Sequence, residues 1–162
     1  MVIDMELSIT IIPEERAKLA HDLFFEGYNC AQSVAVAFCD VIGMDKNDVA
    51  RLISGFGGGF SRMRDVCGAV CGGVFVLNAL FGGFALGDID GKAEHYALIQ
   101  RLMKTFADEN GSYICRELLS LKEMHDSPIP EKRTAEYYRT RPCADLAASC
   151  ARITAKMIIE HK

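Results

Sequence analysis

Histidine is scarce: His21, His95, His125 and His161 are dispersed along the chain, and none falls in an HExxH or CxxCH arrangement. Neither a helical zinc-hydrolase motif nor a covalently attached c-type haem is therefore encoded. No GxxxxGK[ST] occurs, and the glycine run GFGGGF, Gly55–Phe60, misses GxGxxG because Phe60 stands where its last glycine belongs. Both absences argue against nucleotide binding. Apolar/polar alternation between hairpin turns is missing too, as are internal repeats, long linkers and low-complexity tracts. What remains is a chain of 162 residues, half of them hydrophobic, enough to bury one core without disulfides. A single helical domain over 1–162 is expected, with 1–12 disordered or extended.

Charge of one sign is nowhere concentrated. The 18 basic and 22 acidic residues give a net charge of −4, and the densest basic stretch, EKRTAEYYRTR at Glu131–Arg141, is interrupted by acids. It reads as a solvated helix face, and nucleic acid is excluded as a main partner. MVIDMELSIT lacks a basic segment followed by an apolar one, so no secretory signal is read and a cytoplasmic location is expected. In a reducing compartment, seven cysteines point to metal binding, redox exchange or burial before disulfides. Val66–Gly87 carries no charge and is long enough on paper to span a bilayer, but its glycines and Asn78 favour a helix buried on all sides within a bundle.

Helical punctuation is frequent. Pro13-Glu14-Glu15 opens a helix to about Glu26, with Leu19, Ala20, Leu23 and Phe24 as its apolar stripe and Gly27 as its stop. Asn29 caps a second helix, Cys30 to about Ile42, closed by Gly43; Asp45 caps a short one through Ile53. Asp88 or Asp90 precedes a periodic stretch from Gly91 to Ala107, with Tyr96, Ile99, Leu102, Met103 and Phe106 inward, ended by Asn110-Gly111. A short helix over Cys115–Leu121, a connection at Ser127–Pro130 and a last helix from Pro142 to His161 complete an all-α fold. Six or seven helices are expected, around the glycine-rich central one.

The cysteines fall into two kinds. Cys30, Cys115 and Cys143 stand at predicted helix starts, where the dipole favours thiolate, the form that attacks and ligates. Cys39 and Cys150 read as small core residues. Cys67 and Cys71, one turn apart in RDVCGAVCGG, share a face with β-carbons about 5–6 Å apart, close enough to share a metal ion. Arg62 and Arg64 either stabilise a thiolate or form a solvated turn. Gly55, Gly57, Gly58, Gly59, Gly68, Gly72 and Gly73 admit two readings: backbone approach to a cofactor, or close helix packing.

These blocks resemble the C-GCAxxG-C-C family of redox-active proteins over nearly all of residues 13 to 145. GYNCAQSV (Gly27–Val34) is similar to the family's first cysteine block, GFGGGF to its glycine run, and Cys67-Gly68-Ala69-Val70-Cys71-Gly72 to its core, with cysteine here preceding glycine. CREL and RPC supply the remaining two. The resemblance implies Cys30, Cys67, Cys115 and Cys143 as the functional four and leaves Cys71 as a neighbour, a spare ligand or packing. Gly57, Gly58, Gly59 and Gly68 would line the surroundings of the site. Four thiols from different helices suit an iron–sulfur cluster passing electrons to a redox partner protein, better than a zinc staple. A metal-free thiol–disulfide protein, pairing Cys67 with Cys30 or Cys71, is the first alternative. The second is a zinc-binding or structural module, with Phe56, Phe60 and Phe84 supporting a homodimer.

Overall fold

The computed structural model describes residues 9–121 and 127–161, so the expectations for 1–8 and for His125 lie outside the described residues. Among the described residues the chain is all-α, with no strand and ten α-helices rather than six or seven: α1 Pro13–Phe25, α2 Cys30–Val36, α3 Cys39–Ile42, α4 Lys46–Leu52, α5 Gly57–Phe60, α6 Gly68–Phe81, α7 Ile89–Asn110, α8 Cys115–Leu118, α9 Ala135–Thr140 and α10 Cys143–His161. The surplus is α3, split from the predicted Cys30–Ile42 helix, α9, and the single turn α5, in which Gly58 and Gly59 are left-handed. A 3₁₀ turn, Ser54–Phe56, precedes α5.

The predicted caps are where the sequence puts them. Asn29 accepts from the Gln32 amide while the Gln32 side chain takes the Asn29 amide, a reciprocal capping box. Asp45 accepts from Asn47 and Asp48, and Asp88 from Gly91. Gly43 and Gly111 end α3 and α7 in the left-handed region, at φ 68° and 94°.

One predicted helix, Cys30–Ile42, is broken in two by a distant residue. Arg16 reaches from α1, donates to the Ala37 carbonyl at 2.8 Å, and grips both oxygens of Asp40 at 2.6 and 2.8 Å. With that carbonyl taken, the chain turns at Phe38 and restarts at Cys39. Arg16 is itself buried, and its hydrogen bond holds the Asp40 carboxyl below the usual carboxylate range against partial burial.

α1 lies along α10, α2 against α6, and α10 also packs on α2, α6 and α7. Between them sit Phe24, Phe38, Phe106, Leu77, Leu102 and Ile158, all buried. Leu19 and Tyr96, expected inward, are exposed, because the stripes that reach the core run through Arg16, Ala17, Ala20, Leu23 and Phe24 on α1 and through His95, Leu102 and Phe106 on α7. The glycine-rich α6 is buried mainly on one face; Asn78 and Ala79 reach the surface. No described helix is long and apolar enough to cross a membrane.

The glycines of α6 act through packing. A β-carbon on Gly72 would lie 2.6 Å from the Ala31 carbonyl oxygen and 2.8 Å from Val34 Cβ; one on Gly73 would meet Thr154 Oγ1 at 2.8 Å and Cys150 Sγ at 2.9 Å. Helix crowding is therefore the role of Gly72 and Gly73. Gly72→Ala gains about 1 kcal/mol of helix propensity, yet forces α2 off α6 at an overpacking cost of about 1–3 kcal/mol. The expected outcome is a lower urea midpoint with an unchanged slope, whereas Gly83→Ala, which meets nothing within 4 Å, leaves the midpoint unchanged or raises it.

Candidate functional site: a four-cysteine cavity

Cys30, Cys115 and Cys143 are the first residues of α2, α8 and α10, and Cys67 is the residue before α6. All four line one cavity of about 440 Å³, together with Gly57, Gly58 and Gly68. Cys71 does not line it: its thiol turns toward the Val66 carbonyl, 4.0 Å away. Cys150 is fully buried against Gly73 and Thr154, and Cys39 is half-buried against the core; both pack as expected.

Two devices bring the cysteines to this cavity. The first is the approach of α2 to α6, where the space that a Gly68 β-carbon would need is taken by Cys30 Sγ, at 2.4 Å. Cys30 is thereby set beside the residue that follows Cys67. The second is a short antiparallel clamp: the Cys67 amide donates to the Tyr113 carbonyl at 2.8 Å and the Cys115 amide to the Asp65 carbonyl at 2.6 Å, around the bridged pair Val66 and Ile114. Positions flanking one bridged pair share a face, so Cys67 and Cys115 become diagonal neighbours, about 7–8 Å apart in a regular ladder.

The glycine run builds the rim. Gly58, Gly59, Phe60, Ser61 and Arg62 are consecutive left-handed residues, at φ 69°, 66°, 64°, 52° and 72°, and Arg64 follows at 60°. Each of the four side-chain-bearing residues in that set carries a cost of about 1–2 kcal/mol. Gly59 is required twice, since a β-carbon there would also meet Cys115 Cβ and the Asp65 amide nitrogen, both at 2.7 Å. The turn is held by Asp65 N–H to the Gly59 carbonyl, 3.0 Å, and by Ser61 Oγ to the Gly55 carbonyl, 2.8 Å. It aims Arg64 inward, with Nη1 3.8 Å from Cys115 Sγ. Of the two readings of Arg64, the geometry supports the contact with a thiol.

Sequence reasoning missed the opposite wall. Arg133, Tyr137 and Arg141, in the stretch read as a solvated face, also line the cavity. Arg133 donates to the Phe24 and Tyr28 carbonyls, both at 3.1 Å, and lies 4.1 Å over the Phe24 ring. Arg141 pairs with Glu131, holding that carboxyl below its usual range. The tyrosines interleaved with these arginines, Tyr137 and Tyr138, were the available signal, since both pack on Phe24.

Burial overturns one expectation. Helix starts were expected to favour thiolate at Cys30, Cys115 and Cys143, but burial dominates at the last two. At Cys67 as well, burial, with Cys30 next to it, pushes the thiol well up against the pull of the Ala69 and Val70 amides. Burial also raises Cys115, opposed by Arg64, and raises Cys143 to about 12, with Cys30 and Cys115 adding to it. In the metal-free reduced protein these three are neutral thiols at pH 7.

A family model described as "Putative redox-active protein (C_GCAxxG_C_C)" matches residues 28–157. The chain belongs to the C_GCAxxG_C_C family. A protein of Archaeoglobus fulgidus named "Uncharacterized protein" is 25% identical over 157 residues, which cover 92% of this chain and 97% of that one. No solved structure matches. The family span holds all four cysteines that line the cavity.

The raised thiols fix a pH dependence. Above about pH 9 the unfolded chain loses the Cys143 proton that the folded chain keeps, so this group's contribution to stability is complete below that pH and falls as pH rises toward its folded value of about 12. Denaturation of the reduced, metal-free protein is expected to lose about 1.4 kcal/mol per pH unit from Cys143 between pH 9 and about 12, a share of the slope that Cys143→Ser removes.

Proposed function

We propose that Cys30, Cys67, Cys115 and Cys143 hold an iron–sulfur redox centre that exchanges electrons with a partner protein. The observation that carries this reading is the convergence of four cysteines, from four separate helices, on one cavity. Four thiolates are the donor set such clusters take. Among the described residues, no three His, Cys, Asp or Glu side chains are grouped to hold a metal ion. A single zinc ion needs all its sulfurs within about 2.3 Å of the metal, a grouping that the described residues do not show.

The bound group would supply one-electron exchange at a potential set by its surroundings. The chain's own residues supply the rest. Four thiols must lose protons on binding, so loading releases protons and weakens as pH falls. Arg64 and Arg141 offset the resulting negative charge, and the glycine-lined rim lets backbone lie close.

A metal-free thiol–disulfide protein is the second reading, favoured by Cys30 Sγ packing against Gly68, next to Cys67. An absorption spectrum of protein purified without oxygen separates the two. Visible bands that bleach with dithionite are expected, lost in Cys30→Ser, Cys67→Ser, Cys115→Ser or Cys143→Ser and retained in Cys39→Ser. A colourless protein that cannot be reconstituted, yet loses two thiols to mild oxidant, would establish exchange instead.

A further inference from the structure

The cavity's volume exceeds what four thiols closed on a single ion would leave open, and about 440 Å³ falls within the range of small-molecule sites. Its charge runs against that of the chain. Arg62, Arg64, Arg133 and Arg141 line it, and Glu131 is the one carboxylate among the described lining residues, in a protein of net charge −4. A concave, partly dry site with surplus guanidinium focuses a positive field and concentrates small anions.

The four arginines are not equivalent. Arg133 is engaged with the Phe24 and Tyr28 carbonyls, Arg141 with Glu131, and Arg62 with the Ser127 and Ile129 carbonyls. These brace the wall. Arg64 instead directs its guanidinium to Cys115 Sγ, and its backbone is pinned on both sides: its amide donates to the Gly58 carbonyl at 3.2 Å, and its carbonyl accepts from the Arg116 amide at 3.2 Å. A cation held at a sulfur by left-handed backbone is placed for whatever approaches that sulfur.

We propose that the cysteine cavity admits small anionic molecules and that Arg64 recognises their negative charge beside Cys115. The inference shares the cavity of the proposed redox centre but not the iron, so it is tested on the reduced, metal-free full chain. The probes are iodoacetate and iodoacetamide, matched in size and differing in charge. Each forms an S–C bond at a thiolate and expels iodide, so the ratio of their rates at one cysteine cancels that cysteine's thiolate fraction.

Rates read cysteine by cysteine by mass spectrometry are expected to show an iodoacetate-to-iodoacetamide ratio at Cys115 above that of the same cysteine in the urea-unfolded chain. Arg64→Gln should lower it about five-fold. Arg64→Lys, which keeps the charge, and Arg116→Gln, which alters an exposed arginine paired with Asp65 at 3.4 Å, should leave most of it. Inorganic sulfate should slow iodoacetate at Cys115 in the native protein. If Arg64→Gln unfolds, the Lys variant and sulfate protection decide. A native ratio no higher than the unfolded one, or equal ratios in native protein and folded Arg64→Gln, overturns the proposal, and neither result bears on whether a cluster forms.

Discussion

The close approach of α2 to α6 is the constraint on which the site depends. With Gly72 against the Ala31 carbonyl and Gly68 against Cys30 Sγ, the two helices meet at backbone distance, and no side chain can be inserted without separating them. The contact serves the core and the cavity at once. It aligns the start of α2 with the start of α6, and so sets Cys30 by Cys67 before any ligand is considered. Cys115 is added by the antiparallel clamp, and Cys143 by α10, which packs on both helices.

Two opposing effects set the electrostatics of that arrangement. Withdrawal from water disfavours thiolate at Cys67, Cys115 and Cys143, while helix-start amides and arginines favour it; burial wins for the bare thiols. The arginines are thus surplus to the neutral cysteines. A cavity with unspent positive charge and protonated sulfurs is matched to an occupant that brings or creates negative charge, which both proposals share.

Much of the secondary structure was legible in single residues. Asn29, Asp45 and Asp88 cap, and Gly43 and Gly111 stop, because those choices are local chemistry. The break at Ala37 was not, since it comes from Arg16 on another helix. Nor was the orientation of Tyr96, whose periodic position fits an inward stripe but faces out once α6 and α10 take their places. For the cavity, helix-start position marked Cys30, Cys115 and Cys143, whereas Cys67 was singled out over Cys71 by motif resemblance; its structural reason is the clamp to Tyr113. The arginine wall was hidden because alternating acids around Arg133 and Arg141 look alike whether a face meets water or a cavity.

The pairing of α1 with α10 gives the molecule a definite order of assembly. The earliest described helix finds its principal neighbour in the last one, and Cys143 opens that last helix. On the ribosome, this contact waits for α10 to emerge, so until then the cavity lacks the wall that Cys143 supplies. An occupant held by all four cysteines is therefore completed only once α10 has joined the other helices.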